Sequence, residues 1–275
     1  MPKSKMGQNF LIDLNLVDLI VQTAEIDRSD AVLEVGTGTG SLTARLSDLA
    51  GGVVSVELDP EIQEMARDML ASRKNLSLLR MDVLARKNEI APEVFAEWDR
   101  RVELGGCTRR KLVANLPYVV ATPVIGNLLI ADVTLERMVV MVQWELAERM
   151  ISVPSTKGYG SLAVLIQSLA DVKIVRRLPP TVFWPQPKVD SAIILIKPNA
   201  EKRKELGDPA PYRVFLRDLY TQRRKNLRSA LAGWPSGRRE KKDVDAKLAE
   251  IGFDGSVRAE TLDLVQHRRL FEAFR

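Results

Sequence analysis

The chain has 275 residues, 45% of them hydrophobic and 28% charged, which is enough apolar chain for a sizeable buried core. One cysteine (Cys107) excludes an intramolecular disulfide, and one histidine (His267) with one cysteine cannot build a zinc site of the usual Cys/His type, which points to metal-free chemistry or chemistry borrowed from a cofactor. The net charge of +5 is uneven: residues 201–275 hold 18 Lys and Arg against 12 Asp and Glu, a net of +6, whereas the first 200 residues sum to −1. A polyanionic partner such as nucleic acid fits that tail, and so does a solvated helical face.

Taken in chain order, residues 14–26 (LNLVDLIVQTAEI) carry helical spacing of apolar side chains. AVLEVGTGTG (31–40) is an apolar strand breaking into glycines, followed by an amphipathic helix at 41–50 with Ser41 as its expected cap. GVVSVELD (52–59) is a second strand, Pro60 opens a second helix, and LSLLRMD (76–82) is a third strand. Residues 85–110 are polar and read as a connection with some helix, and KLVANL (111–116) is a fourth strand. Helix at 122–131, strand at 137–144 and helices at 145–152 and 161–170 follow; two late strands, 171–178 and 189–198, lack a helix between them. Alternating strands and helices predict an α/β fold with a doubly wound, mostly parallel sheet, and the late pair predicts an antiparallel edge. Proline and charge rise at 197–212, as at a linker, and three helices follow, the first continuous over YRVFLRDLYTQRRKNLRSALAGW (212–234). The expected organisation is an α/β domain over residues 1–198 and a small all-helical, basic domain over 199–275. His267, in QHRRLF, is expected on a solvated helix face.

No apolar run approaches the roughly 20 residues that span a bilayer, and Asp13 interrupts the first apolar stretch, so neither a membrane helix nor a signal peptide is expected. A cytoplasmic monomer is the expectation.

Three strand ends carry the chemistry. Gly36, Gly38 and Gly40 allow a tight turn and close approach of a ligand to the main chain. Glu57, ending the second strand, can accept hydrogen bonds from both hydroxyls of a ribose, and Asp82, ending the third, can meet an adenine edge. The spacing is G-x-G-x-G, with Ser41 where the dinucleotide fingerprint continues, and no lysine follows as in a P-loop. Glu34 beside the first glycine disfavours a pyrophosphate. These features fit S-adenosylmethionine; a purely structural turn is the competing account of the glycines.

The fourth strand ends in NLPY (115–118), which resembles the N/D-P-P-Y-type motif of methyltransferases acting on exocyclic amines. Together with GQNFL (7–11), VLEVGTGTGSLT, VELD, KGYGSL and VFWPQPKVDSA, in this order and spacing, the chain resembles the rRNA adenine dimethyltransferase family from Gly7 into the C-terminal helices. The resemblance implies a Rossmann-like class I methyltransferase fold, S-adenosylmethionine as cofactor, and an N-terminal segment that closes over it through Asn9 and Leu11, which composition alone reads as a helix cap and a core residue. It also implies a helical domain that places the enzyme on the small ribosomal subunit. Two positions depart from the family: Met6 stands where an aromatic residue is usual and Trp144 where lysine is usual.

The motif suits the reaction. An adenine N6 lone pair is delocalised into the ring and is a poor nucleophile. The Asn115 side-chain oxygen and the Leu116 carbonyl could each accept one N6 hydrogen, directing the lone pair toward a methyl donor. Pro117 stiffens the loop and adds no competing donor. Tyr118 offers a face on which an extruded base can stack, and Phe183 is the candidate for the opposite face. A strand-end turn with a buried tyrosine, and a core role for Phe183, are the structural alternatives. In the tail, Arg223, Arg224, Lys225 and Arg228 fall within six residues; on one helix, 224, 225 and 228 would share a face able to follow a phosphate backbone.

The expected activity is transfer of methyl groups from S-adenosylmethionine to N6 of two adjacent adenosines near the 3′ end of small-subunit rRNA, with the small-subunit precursor as partner. A large-subunit rRNA methyltransferase of the macrolide-resistance type and a catalytically silent ribosome-assembly factor are the alternatives; a nicotinamide dehydrogenase is opposed by the glycine spacing and by NLPY.

Overall fold

The computed structural model describes residues 9–234 and 239–275; Met6, Gly7 and Gln8 lie outside the described residues. The chain forms two compact units, one from the residues up to Ala147 with Val172–Pro198, the other from Glu148–Asp171 with Asn199–Arg275. The continuous domain expected over 1–198 is therefore interrupted: Glu148–Asp171 clusters with the C-terminal helices.

In chain order the first unit contains β1 (Phe10–Leu11), α1 (Leu14–Ala24), β2 (Asp30–Val35), α2 (Ser41–Leu49), β3 (Gly52–Glu57), α3 (Pro60–Leu70), β4 (Leu76–Arg80), β5 (Leu84–Arg86), β6 (Glu89–Ile90), α4 (Pro92–Gly105), β7 (Arg109–Asn115), α5 (Tyr118–Ile130) and β8 (Arg137–Gln143). After α6 (Trp144–Met150) and α7 (Ser161–Leu169) come β9 (Ala170–Leu178), β10 (Phe183–Trp184) and β11 (Ser191–Pro198). The main sheet has seven strands in the order β4-β3-β2-β7-β8-β11-β9. The pairs β2/β3, β3/β4, β2/β7 and β7/β8 are parallel. β11 runs antiparallel to β8, with Ser191 opposite Gln143. The chain winds outward from β2 through β3 to β4, then returns to the other side of β2 as β7, so the direction of winding reverses between β2 and β7. Ligands of open α/β sheets bind at such a reversal, beyond the carboxyl ends of the strands.

Local chemistry explains these elements. Every residue of β2 and β3 is buried, which is why both read as near-continuous apolar runs. Asp13 caps α1 by accepting from the Asn15 amide, and Asp59 caps α3 ahead of Pro60. The cap of α2 is Gly40, not Ser41, because the glycine takes the left-handed conformation and Ser41 is already helical. The polar stretch 85–110 holds α4, whose Trp98 is fully buried and donates its indole N–H to the Ala31 carbonyl at 3.0 Å.

At the amino ends of β2 and β7 lies a buried ion pair. Lys111 is 1% exposed; its Nζ donates to Asp30 Oδ2 at 2.9 Å and to the carbonyls of Ala24 (3.0 Å) and Glu25 (2.7 Å). Asp30 Oδ1 also accepts from Arg109 Nε at 2.8 Å, and Arg109 stands opposite Asp30 in the β2/β7 register.

The second unit adds α8 (Ala200–Leu206), α9 (Pro209–Thr221), α10 (Leu227–Leu231), α11 (Lys241–Glu250) and α12 (Leu264–Phe274). The linker expected at 197–212 is instead helical: Asn199 caps α8, and Asp208 with Pro209 starts α9, so the prolines and charges there are helix-start signals. The continuous helix expected over 212–234 breaks after Thr221. Asn226 restarts it as the cap of α10, accepting from the Ser229 amide, and the Leu227 amide donates to Val257. His267 is not on a solvated face; it is fully buried. Its Nδ1 donates to the Asp263 carbonyl at 2.8 Å, so Nε2 accepts from the Tyr220 hydroxyl at 3.1 Å, and the two rings stack 5.8 Å apart.

Two outcomes are expected. Lys111→Met leaves the buried Asp30 carboxylate and two carbonyls without their shared donor, and should lower unfolding free energy by about 3 kcal/mol in urea titrations. Burial holds the His267 pKa at about 4, below its ordinary 6.5. Protonation therefore favours the unfolded chain: the stabilisation is complete above pH 6.5 and is lost as pH falls toward 4. His267→Gln should flatten that dependence, worth about 3 kcal/mol across the window, in melts followed at successive pH values.

Candidate active site

A cavity of about 320 Å³ opens beyond the carboxyl ends of β2, β3, β4 and β7. Of the residues singled out from sequence, Asn9, Gly36, Gly38, Glu57, Asp82, Asn115, Leu116, Pro117 and Tyr118 all line it. Leu11 lines a smaller space of about 40 Å³ that shares Phe10, Gly36, Gly38 and Asn115 with the larger one.

The glycine loop is held from below and crowded from above. The Gly36 amide donates to the Val56 carbonyl at 2.8 Å. Gly36 has φ +89°, and a Cβ there would stand 3.2 Å from Pro117 and 3.4 Å from the Asn115 carbonyl, so β2 and β7 approach each other too closely for a side chain. A Cβ on Gly38, φ +55°, would meet the Phe10 ring at 3.2 Å. Beneath the loop, the buried Glu34 Oε2 accepts from the hydroxyls of Thr43 and Ser55, each at 2.6 Å, and Thr37 of the loop lies 2.6 Å from the Ser55 hydroxyl. Burial pushes the Glu34 pKa up to about 8, against the two hydroxyls, with the nearby Glu57 charge adding to the rise.

Glu57 is oriented by backbone donors. Its Oε2 accepts from the Gly38 amide at 3.1 Å and its Oε1 from the Asp59 amide at 3.0 Å. Each carboxylate oxygen has capacity for a further bond from the cavity side. Asp82 Oδ1 accepts from the Leu84 amide at 2.9 Å.

Asn115 donates its side-chain N–H to the Asn9 carbonyl at 2.9 Å, which fixes the carboxamide plane and leaves Oδ1 as its acceptor. The Leu116 amide donates to Met141 at 3.2 Å, extending the β7/β8 ladder past its last pair. Pro117 occupies the cap of α5 with φ −55°. The Tyr118 hydroxyl lies 2.8 Å from the Ser191 hydroxyl, and burial raises its pKa.

Other expected residues sit elsewhere. Phe183 is 3% exposed and belongs to the core with Val17 and Leu178; it does not line the cavity. Trp144, the other departure from the family, lies under the guanidinium of Arg177, 4.5 Å from the ring centre, and Arg177 pairs with Asp190. In the second unit, Arg223 pairs with Glu260 at 2.8 Å and Arg228 with Asp245 at 2.7 Å. Arg224 and Lys225 are exposed in the turn between α9 and α10, so 224, 225 and 228 do not form one helix face. Sequence reading missed Phe10, Leu58, Ile62, Met81 and Val119 of the lining. Leu58 and Val119 directly follow Glu57 and Tyr118, and that adjacency was the available signal; the structure leaves both exposed. The described lining residues include two carboxylates and no lysine or arginine.

Glu34 generates a further expectation. Its folded pKa is raised above the ordinary 4.5, so the stabilisation is complete below that value and is lost as pH rises through about 8. Glu34→Gln should raise the melting temperature at pH 8 relative to wild type more than it does at pH 5; equal shifts at both values would contradict a neutral buried carboxyl.

A family model described as ribosomal RNA adenine dimethylase matches residues 2–258. The chain is 39% identical to the ribosomal RNA small subunit methyltransferase A of Listeria monocytogenes, over 98% of this chain and 89% of that protein. It is 36% identical to the protein of the same name from Halothermothrix orenii, over 95% and 84%. Among solved structures, a dimethyladenosine transferase from Plasmodium falciparum superposes with a TM-score of 0.76 at 24% identity, covering 96% of both chains. The 23S rRNA methyltransferase ErmE superposes with a TM-score of 0.65 at 27% identity, covering 97% of this chain and 99% of that one.

Proposed function

This chain belongs to the ribosomal RNA adenine dimethylase family, and from that premise we propose that it transfers methyl groups from S-adenosylmethionine to N6 of two adjacent adenosines near the 3′ end of small-subunit rRNA, two to each, during maturation of the small subunit. The observation that carries the cofactor is the charge of the cavity: among the described lining residues, two carboxylates with no lysine or arginine suit a cationic sulfonium nucleoside and oppose a pyrophosphate. S-adenosylmethionine supplies an electrophilic methyl group when bound. Glu57 would accept hydrogen bonds from the ribose hydroxyls, Asp82 would meet the adenine edge, the Gly36–Gly38 main chain would face the amino-acid end, and Asn9 would close over it, with Leu11 anchoring that segment on the core.

For the target base, Asn115 Oδ1 and the Leu116 carbonyl accept the two N6 hydrogens and set the direction of the lone pair, while Tyr118 supplies a stacking face. The contribution is orientation in a preformed site. None of these groups has to act as a strong base, because the amine proton becomes acidic once N6 is alkylated and passes to water. Residues 199–275 serve as the RNA-facing domain, with Arg224 and Lys225 exposed and Arg223 and Arg228 held beside them by their ion pairs.

The test incubates the protein with labelled S-adenosylmethionine and undermethylated small subunits, then maps the modified bases. Label on two adjacent adenosines of the small-subunit RNA is expected. Label in large-subunit RNA would reassign the target, and cofactor binding without label anywhere would indicate a silent assembly factor. In the same assay Asn115→Ala should lower kcat by at least about 100-fold while cofactor Kd changes only several-fold; an equal loss of cofactor binding would overturn its assignment to the base.

A further inference from the structure

We infer that Trp184 is a stacking platform at the rim of the cavity for the nucleobase next to the one held at Asn115–Tyr118, an inference that rests on the RNA methylation reading above. β1 and β10 pair antiparallel over two residues, Phe10 opposite Trp184 and Leu11 opposite Phe183. Directly opposed residues of such a pair project to the same side, and successive residues to opposite sides. Leu11 and Phe183 pack with the core, so Phe10 and Trp184 share the other side. Phe10 lines the cavity, and Trp184 stands beside it with 57% of its surface exposed.

The backbone of this ribbon is tied to the catalytic segment at two places. The Asn9 carbonyl, one residue before Phe10, accepts from Asn115 at 2.9 Å. Ser191, at the far end of the loop that follows Trp184, meets the Tyr118 hydroxyl at 2.8 Å. The Ile12 amide donates to Val182 at 3.0 Å and closes the ribbon at its other end. The indole is thus placed, yet it packs on little. Trp98 is buried with its N–H bonded, Trp144 lies under Arg177, and Trp234 meets the edge of Phe215. Among the described residues neither Trp98 nor Trp184 has a ring or cation contact, and of the two only Trp184 is exposed. A large flat ring left to water beside a base-binding cavity is a face that any nucleobase can stack on. Lys188, four residues on in the same loop, is exposed.

The experiment compares wild type, Trp184→Ala and Trp184→Phe on undermethylated small subunits. Trp184→Ala should raise KM for the RNA substrate by roughly 10-fold, with a smaller effect on kcat and unchanged cofactor Kd and melting temperature; Trp184→Phe should restore most of the loss. Indole fluorescence of wild type should be quenched by the RNA, and the quench should disappear in Trp184→Phe. Ultraviolet crosslinking should join Trp184 to the nucleotide beside the methylated one. An unchanged KM in an active Trp184→Ala, a crosslink to a distant nucleotide, or a loss of cofactor affinity would each overturn the assignment. Wild type that binds cofactor and methylates no RNA would instead overturn the activity on which it rests.

Discussion

Lys111 and Asp30 meet in the dry amino-terminal layer of the sheet, where an unpaired charge would be costly. Each partners the other; Asp30 also accepts from Arg109 and the Asp27 amide, and Lys111 also meets two carbonyls and Glu136. Because these groups sit on neighbouring strands, the arrangement specifies one register of β2 against β7, and a slip would bury an unmatched charge. That register determines what stands side by side at the other ends of the two strands, where Pro117 and the Asn115 carbonyl leave no room for a side chain at Gly36. The cavity side of the sheet is therefore aligned by an electrostatic match at the opposite ends of the same strands.

The same economy of charge governs the cavity. Glu57 is held by two backbone amides, so its orientation does not depend on a ligand being present. Glu34 lies just beneath, and two ionised carboxylates so close in a buried setting would repel; the burial that keeps Glu34 neutral relieves this. Its hydroxyl partners then act as a brace, linking the loop residue Thr37 through Ser55 to the first turn of α2.

The parallel strands and their polar ends were legible from sequence because each apolar run stops at a residue that does not belong in a core: Gly36, Glu57, Asp82, Asn115. Local signals sufficed there. They failed where a distant partner decides. Phe183 and Trp184 are adjacent aromatics, and which one enters the core depends on β1, from the other end of the chain. His267 has charged neighbours in sequence, yet Tyr220 and the Asp263 carbonyl make its burial tolerable. The break after Thr221 follows from Asn226 and the bond to Val257, neither of which disturbs the helical period. Residues 148–171 show no compositional boundary, and only packing assigns them to the second unit.

The antiparallel direction of β11 has a consequence of its own. A parallel strand begins at the edge of the sheet remote from the ligand, and whatever precedes it in the chain is delivered there. β11 runs the other way, so its first residue, Ser191, arrives level with Gln143, where β8 finishes. One reversed strand thus delivers the loop that ends at Asp190 to the carboxyl side of the parallel strands, where Ser191 meets the Tyr118 hydroxyl. Substitutions in that loop can then retune what the rim accepts while the strands beneath it stay as they are.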